Sequence, residues 1–220
     1  MMSQERVTHI LLTCGAIAGP FYVLLGIGQI LSRPGFDITK HALSLLSNGY
    51  LGWIQITNFI IAGALVITFA ASLRMALAGS KAGTFGPILL AIYGLGMIGA
   101  GIFPADPALG FPIGTPETIS GISTTGLMHF VFGGIGFYSL IAATFVFARK
   151  FRNDGNMAMT WFSIVTGLVF FISFAAIASV SSDPALRPLV TVGFYFAILL
   201  VWIWLTMLSL TIRQAVDRHV

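Results

Sequence analysis

Ionisable side chains are scarce in this chain, and several stand where they could do chemistry. Asp37 and His41 fall four residues apart in the stretch 35–50, GFDITKHALSLLSNGY. At i and i+4 the two meet on one face of a helix, where an acid can orient an imidazole and raise its basicity. Ser44 falls on the same side, a turn further on. Asn58 comes a turn after Gln55, Asp106 closes IFPAD at 102–106, and His129 lies inside a long apolar run. Asp37, His41, Ser44, Asn58, Asp106 and His129 are therefore candidates to line one polar pocket.

Two histidines with Asp37, Asp106 or Asp183 would supply the three protein ligands and open position of a catalytic zinc site. His41, His129, Asp37 and Asp106 are thus the metal-ligand candidates. The spacing selects no particular metal, since 88 residues separate the two histidines, and it identifies no cofactor. Haem would need both rings facing each other at one depth, whereas His41 falls in a loop and His129 in an apolar run. Ser44 and Ser47 lack the G-x-S-x-G turn that exposes a serine nucleophile. Each group also has a plainer use. Asp37 and His41 could turn a polar helix face to water, with Lys40 snorkelling at the interface. A carbonyl, an amide or water could satisfy His129. Asp106 and Asp183 each precede a proline, a pairing that starts turns.

The elements that must position these residues follow from composition. The chain is 57% hydrophobic and 8% charged, with a mean hydropathy of +0.95; a soluble domain carries about 25% charged residues. Six apolar runs, roughly 8–31, 52–78, 84–104, 124–148, 158–181 and 189–212, are each long enough to cross a bilayer as a helix. In lipid every backbone polar group must pair internally. A barrel would need alternating residues, and these runs are continuous. The expected fold is an all-α integral membrane protein, one domain over 1–220, with six transmembrane helices in a single bundle.

The basic excess, +4 with a sequence pI near 9.6, is a topology signal and does not point to nucleic acid. With the N-terminus inside, the inner segments hold eight basic residues: Arg6, Arg74, Lys81, Arg149, Lys150, Arg152, Arg213 and Arg218. The outer loops hold three, Arg33, Lys40 and Arg187. The positive-inside rule puts both termini in the cytoplasm. The first run is too long for a signal-peptide core and lacks a small-residue cleavage site. LLTCG around Cys14 is a poor lipoprotein box, and this single cysteine forms no internal disulfide.

Two loops on the outer side carry the interest. In 32–51, Asp37, Lys40, His41, Ser44, Ser47 and Asn48 share one side of a helical projection. Ile38, Ala42, Leu43, Leu45 and Leu46 share the other. This predicts a short amphipathic helix over about 37–48, lying in the outer interface between the first and second spans. The loop 105–123, ADPALGFPIGTPETISGIS, predicts an ordered cap or lid. Gln29, Gln55, Asn58 and His129 all fall in the outer halves of spans, while the inner halves offer mainly Ser, Thr and Tyr. Polar groups in a membrane usually face the bundle or a wet cavity. GLGMIGAG at 94–101 contains a G-x-G-x-x-G pattern, but a dinucleotide site needs a preceding strand. Mid-span, these glycines serve close helix contact, as does FGGIGF at 132–137.

Four segments together, GPFYVLLG, RPGFDITKHALSLLSNGYLGWIQ, GIFPADP and GLMHFVFGG, resemble the bacterial six-helix membrane family called domain of unknown function 998. The resemblance covers about residues 15 to 212 and implies six spans and a polar outer face, in a bacterial plasma membrane. It carries Asp37, His41, Ser44, Asp106 and His129 as motif positions. It implies no particular activity.

Three functions compete. An outward-facing pocket could bind, or with a metal hydrolyse, a lipid or other amphiphile, head at His129 and Asp37, tails between spans. A small-molecule transporter would need polarity continuing to the inner side and interrupted helices. A non-catalytic accessory subunit would use its loops to dock a partner.

Overall fold

The computed structural model describes residues 4–118, 121–180 and 183–217. Six helices carry the six apolar runs: α1 Gln4–Ser32, α2 Gly52–Ala76, α3 Ala82–Ile102, α4 Thr124–Asn153, α5 Met157–Val180 and α6 Arg187–Asp217. All six are long and apolar enough to cross a membrane, so the protein is a multi-pass membrane protein. Each helix packs on its neighbours in the chain, and α6 returns to α1, closing a ring. One end of the ring, here the loop face, carries the segments 33–51, 103–118 and 121–123. The other, the terminus face, carries the start of α1, the end of α6 and the α2–α3 turn.

Lipid tails are as apolar as leucine, so close packing and hydrogen bonds must hold such helices together. Gly63 of α2 and Gly94 of α3 supply one such close approach. A Cβ on either would stand 2.6–2.7 Å from the other's carbonyl oxygen. Gly96 meets α4 in the same way, with a Cβ 2.8 Å from Gly136 Cα. The glycines at 94–101 therefore serve helix contact. Gly133 and Gly134 do not, because nothing lies within 4 Å of a Cβ built on either.

Two prolines sit inside spans, and each frees the carbonyl four residues earlier. Pro20 frees Ala16 O, which accepts from Thr206 Oγ1 of α6 at 3.3 Å. Pro87 frees Gly83 O, which accepts from Arg74 Nη1 of α2 at 3.0 Å. Neighbouring helices thus repair the gaps that hydrocarbon could not solvate. Aromatic rings fill the middle of the ring: Tyr22 packs on Trp202 with centroids 4.8 Å apart, and Phe137 packs edge-on against Phe170 at 5.1 Å. They leave an interior cavity of about 30 Å³, bordered by Tyr22, Phe59, Tyr93 and Trp202 among others.

The stretch expected as an amphipathic helix over 37–48 folds differently. A turn comes first, with Lys40 and His41 N–H donating to Asp37 O. Only Leu43–Ser47 is helical, as a short 3₁₀ helix, and Leu43, Leu45, Leu46 and Ser47 are all buried in it. The helical projection assumed one face toward water. Here the bundle lies on one side of the stretch and the segment 103–118 on the other, so His41 and Ser47 are buried and Lys40 alone of the polar side is exposed.

Candidate functional site

The two loop-face segments hold each other through groups the sequence offered as chemistry. His41 is 2% exposed. Its Nδ1 accepts from Asp37 N–H at 2.9 Å, which leaves Nε2 as the protonated nitrogen. Nε2–H donates to Leu109 O at 2.8 Å, across to the second loop. The backbone contributes too, since His41 O accepts from Tyr195 Oη of α6 at 2.8 Å. Phe36 and Phe111 flank the ring at 5.3 and 5.4 Å. Leu109 can present its carbonyl this way because it adopts a left-handed conformation, φ 56°.

Asp37 and His41 do meet at i and i+4, but through the Asp37 amide. The Asp37 carboxylate turns onto Thr39, accepting from its N–H at 2.8 Å and its hydroxyl at 2.7 Å. Those two bonds hold the carboxyl below its ordinary range. Ser44 is half-buried and lends its carbonyl to Ser47 Oγ at 2.6 Å. Lys40 reaches Glu117 at 3.7 Å, a further tie between the loops.

Arg33 was not among the predicted site residues. It is buried, donating from Nη1 to Leu46 O at 3.1 Å and from Nη2 to Asn48 O at 2.6 Å. Its guanidinium lies over Phe111, 5.2 Å from the ring centre. Burial pulls its pKa below the ordinary arginine value. Asn48 joins the loops again, donating to Ala105 O at 2.9 Å. An arginine after the first span reads in sequence as an interfacial charge. The signal available was Pro34–Gly35, a turn that folds the chain back over it.

Asp106 sits at the head of α4, where both carboxylate oxygens accept from Ser123, one from the N–H and one from the hydroxyl. Ser123 in turn caps the helix by accepting from Gly126 N–H at 3.0 Å. Negative charge is favourable at that helix end. His129, also buried, bonds through Nδ1 to Ala100 O at 3.0 Å and Phe103 O at 2.9 Å. These carbonyls belong to the end of α3, where helical partners run out. No hydrogen bond joins His129 to Asp37, His41, Asn58 or Asp106 among the described residues.

The four metal-ligand candidates are therefore spent separately. His41 and Asp37 hold the first loop, Asp106 caps α4, and His129 ties α4 to α3. Among the described residues no three of His, Cys, Asp and Glu come close enough to hold a metal ion. Sequence separation hid this, because the histidines' partners are backbone atoms and the carboxylates' partners are Thr39 and Ser123, none of which a ligand pattern marks.

One polar cluster is different. Gln29, Gln55 and Asn58 are 3%, 0% and 0% exposed. Gln29 Nε2 donates to Gln55 Oε1 at 2.8 Å and to Leu25 O at 3.3 Å. Asn58 Nδ2 donates to Tyr22 O at 3.1 Å and to Gln55 Oε1 at 3.3 Å. The two backbone carbonyls fix which end of each amide is nitrogen, since only an N–H can face them. Gln55 must then accept from both neighbours. In that arrangement Gln29 Oε1, Gln55 Nε2 and Asn58 Oδ1 are buried with no partner at hydrogen-bond distance, the Gln55 amide facing the Tyr22 hydroxyl from further off. Asn58 is one of the pocket candidates read from the sequence; Gln29 and Gln55 are polar groups of the same half outside that set.

No curated protein and no solved structure matches the chain. The family described as Protein of unknown function (DUF998) matches residues 16–211. That match runs from α1 to α6 and includes both loop-face segments, so the chain belongs to this family.

Proposed function

We propose that the protein binds an amphiphile with a small hydrogen-bonding head, a lipid or similar molecule, in the loop-face half of the bundle. The observation that carries this is the amide cluster with three open valences, Gln29 Oε1, Gln55 Nε2 and Asn58 Oδ1. An unpaired buried polar atom costs about 1–3 kcal/mol. Two acceptors and one donor in one cluster match a hydroxyl or amide head. Tyr22, which receives the Asn58 bond, also borders the aromatic cavity, so a tail would run from the head between apolar spans. The cavity of about 30 Å³ takes water but no acyl chain, so entry requires the two loops to part. In this reading Asp37, His41, Ser44, Asp106 and His129 frame the cover, and Asn58 touches the ligand. Hydrolysis is no part of it: the carboxylates are engaged by Thr39 and Ser123 and the imidazoles by backbone groups. The loop face is the outer one, on the basic-residue count.

Gln55→Leu and Asn58→Leu test it. Native mass spectrometry of the purified protein should find a co-purifying amphiphile that both variants lose, together with its thermal stabilisation. If instead both variants gain stability and bind the same molecules as the parent, the open valences are only a packing cost and the proposal fails.

A further inference from the structure

We propose that a groove on the lipid-facing side of α2 and α3, at the terminus face, holds an anionic phospholipid of the adjoining leaflet. The groove encloses about 390 Å³. On α2 it is lined by Ile67, Ala70, Ala71 and Arg74, a helical stripe at i, i+3, i+4 and i+7. On α3 the same spacing recurs in Thr84, Pro87, Ile88 and Ala91. Each stripe spans seven steps, about 10 Å at the helical rise. The alanines and Pro87 are small, so the floor is low, while Ile67 and Ile88 stand as walls. An extended hydrocarbon chain suits such a slot.

The two helices run antiparallel, which brings Arg74 and Thr84 together at one end; Arg74 Nη1 donates to Thr84 Oγ1 at 3.0 Å. Arg74 also repairs the carbonyl that Pro87 frees, Gly83 O. Both partners are neutral, and both bonds use one of the two terminal nitrogens of a fork that carries five N–H donors. No ion pair engages Arg74 or Lys81 among the described residues. Lys81 is exposed in the same turn, and residues 74–84 contain no Asp or Glu. The apolar slot thus ends at Arg74, which its bonds to α3 already hold in place, with the exposed Lys81 three residues before the lining Thr84 and no acidic partner for either cation among the described residues. That combination matches an acyl chain and an anionic head together. It lies on the opposite face from the amide cluster and does not depend on it.

The test uses delipidated full-length protein in detergent, titrated with phosphatidylglycerol or phosphatidylcholine of identical chains, with bound lipid counted by native mass spectrometry. Phosphatidylglycerol should bind about tenfold more tightly. Lys81→Gln should reduce that preference about fivefold. Ala71→Trp fills the groove from an exposed position and should abolish tight binding while leaving the lipid-free melting temperature unchanged. Gln55→Leu should leave the preference intact. Equal binding of the two lipids would overturn the proposal, since shape alone would then fill the groove. So would a phosphatidylglycerol preference that survives both Lys81→Gln and Ala71→Trp.

Discussion

The Asp37 amide donates to His41 Nδ1 at 2.9 Å, and this one bond decides what the histidine can do. It assigns the proton to Nε2, which then reaches Leu109 O at 2.8 Å in the other loop. The ring is a strut between two loops, and the carboxylate beside it serves Thr39. His41→Ala should leave the Asp37 N–H and Leu109 carbonyl without partners and open a gap between Phe36 and Phe111. A loss on the order of 3 kcal/mol is expected. Thermal unfolding in detergent would measure it, and limited proteolysis should show new cleavage within 105–118.

Arg33 answers a different question, whether a buried cation can be kept by carbonyls and a ring alone. Lysine keeps the charge but loses the planar fork that reaches Leu46 O and Asn48 O at once. Arg33→Lys should therefore cost about 1–2 kcal/mol, and Arg33→Met more, because both carbonyls lose their donor. Equal stability of Arg33→Met and the parent protein would show that the loops do not depend on this contact.

Glycine positions separate contact from convenience. Gly94→Ala places a methyl group 2.7 Å from Gly63 O, forcing α2 and α3 apart at a cost of about 1–3 kcal/mol. Gly134→Ala meets open space and should be neutral or slightly stabilising through the better helix propensity of alanine. Melting temperatures of the two variants, compared side by side, check the assignment.

Acid should loosen the loop face through Asp37. Its folded-state pKa lies below the unfolded value of about 3.9. The group therefore adds stability above that value, and the contribution is lost as the pH falls through the lower, folded pKa. Hydrogen exchange at the Thr39 amide should accelerate in that acidic window. Asp37→Asn keeps an oxygen for Thr39 but cannot titrate, so its exchange should show a flatter pH dependence over the same range.

Orientation is open to direct measurement. Reporter fusions at 80 and 153 should read cytoplasmic and a fusion at 115 external, as the excess of basic residues on that side requires. An external signal at 153 would reverse the chain and move the amide cluster to the cytoplasmic half.

Membrane class and six spans were legible in the sequence because they depend on sums over many residues. Runs of about 20 apolar side chains in lipid permit little else than helices. The mid-span glycines at 94 and 96 were legible for the same reason, since a dinucleotide loop has no place inside a span. The loop face was not legible. A helical projection places Asp37 and His41 on one side whatever covers them, and it cannot see a second loop arriving 68 residues later to accept the hydrogen bond of His41 Nε2. Nor could sequence sort polar groups that are spent from those left open. Asp106, His129 and Arg33 are satisfied by Ser123 or by carbonyls, whereas Gln55, which looks equally unremarkable in the chain, is forced by Gln29 and Asn58 to leave its nitrogen unpaired. Those outcomes depend on short, directional bonds to backbone and side-chain atoms distant in the sequence, and only the packed tertiary structure brings such atoms within reach.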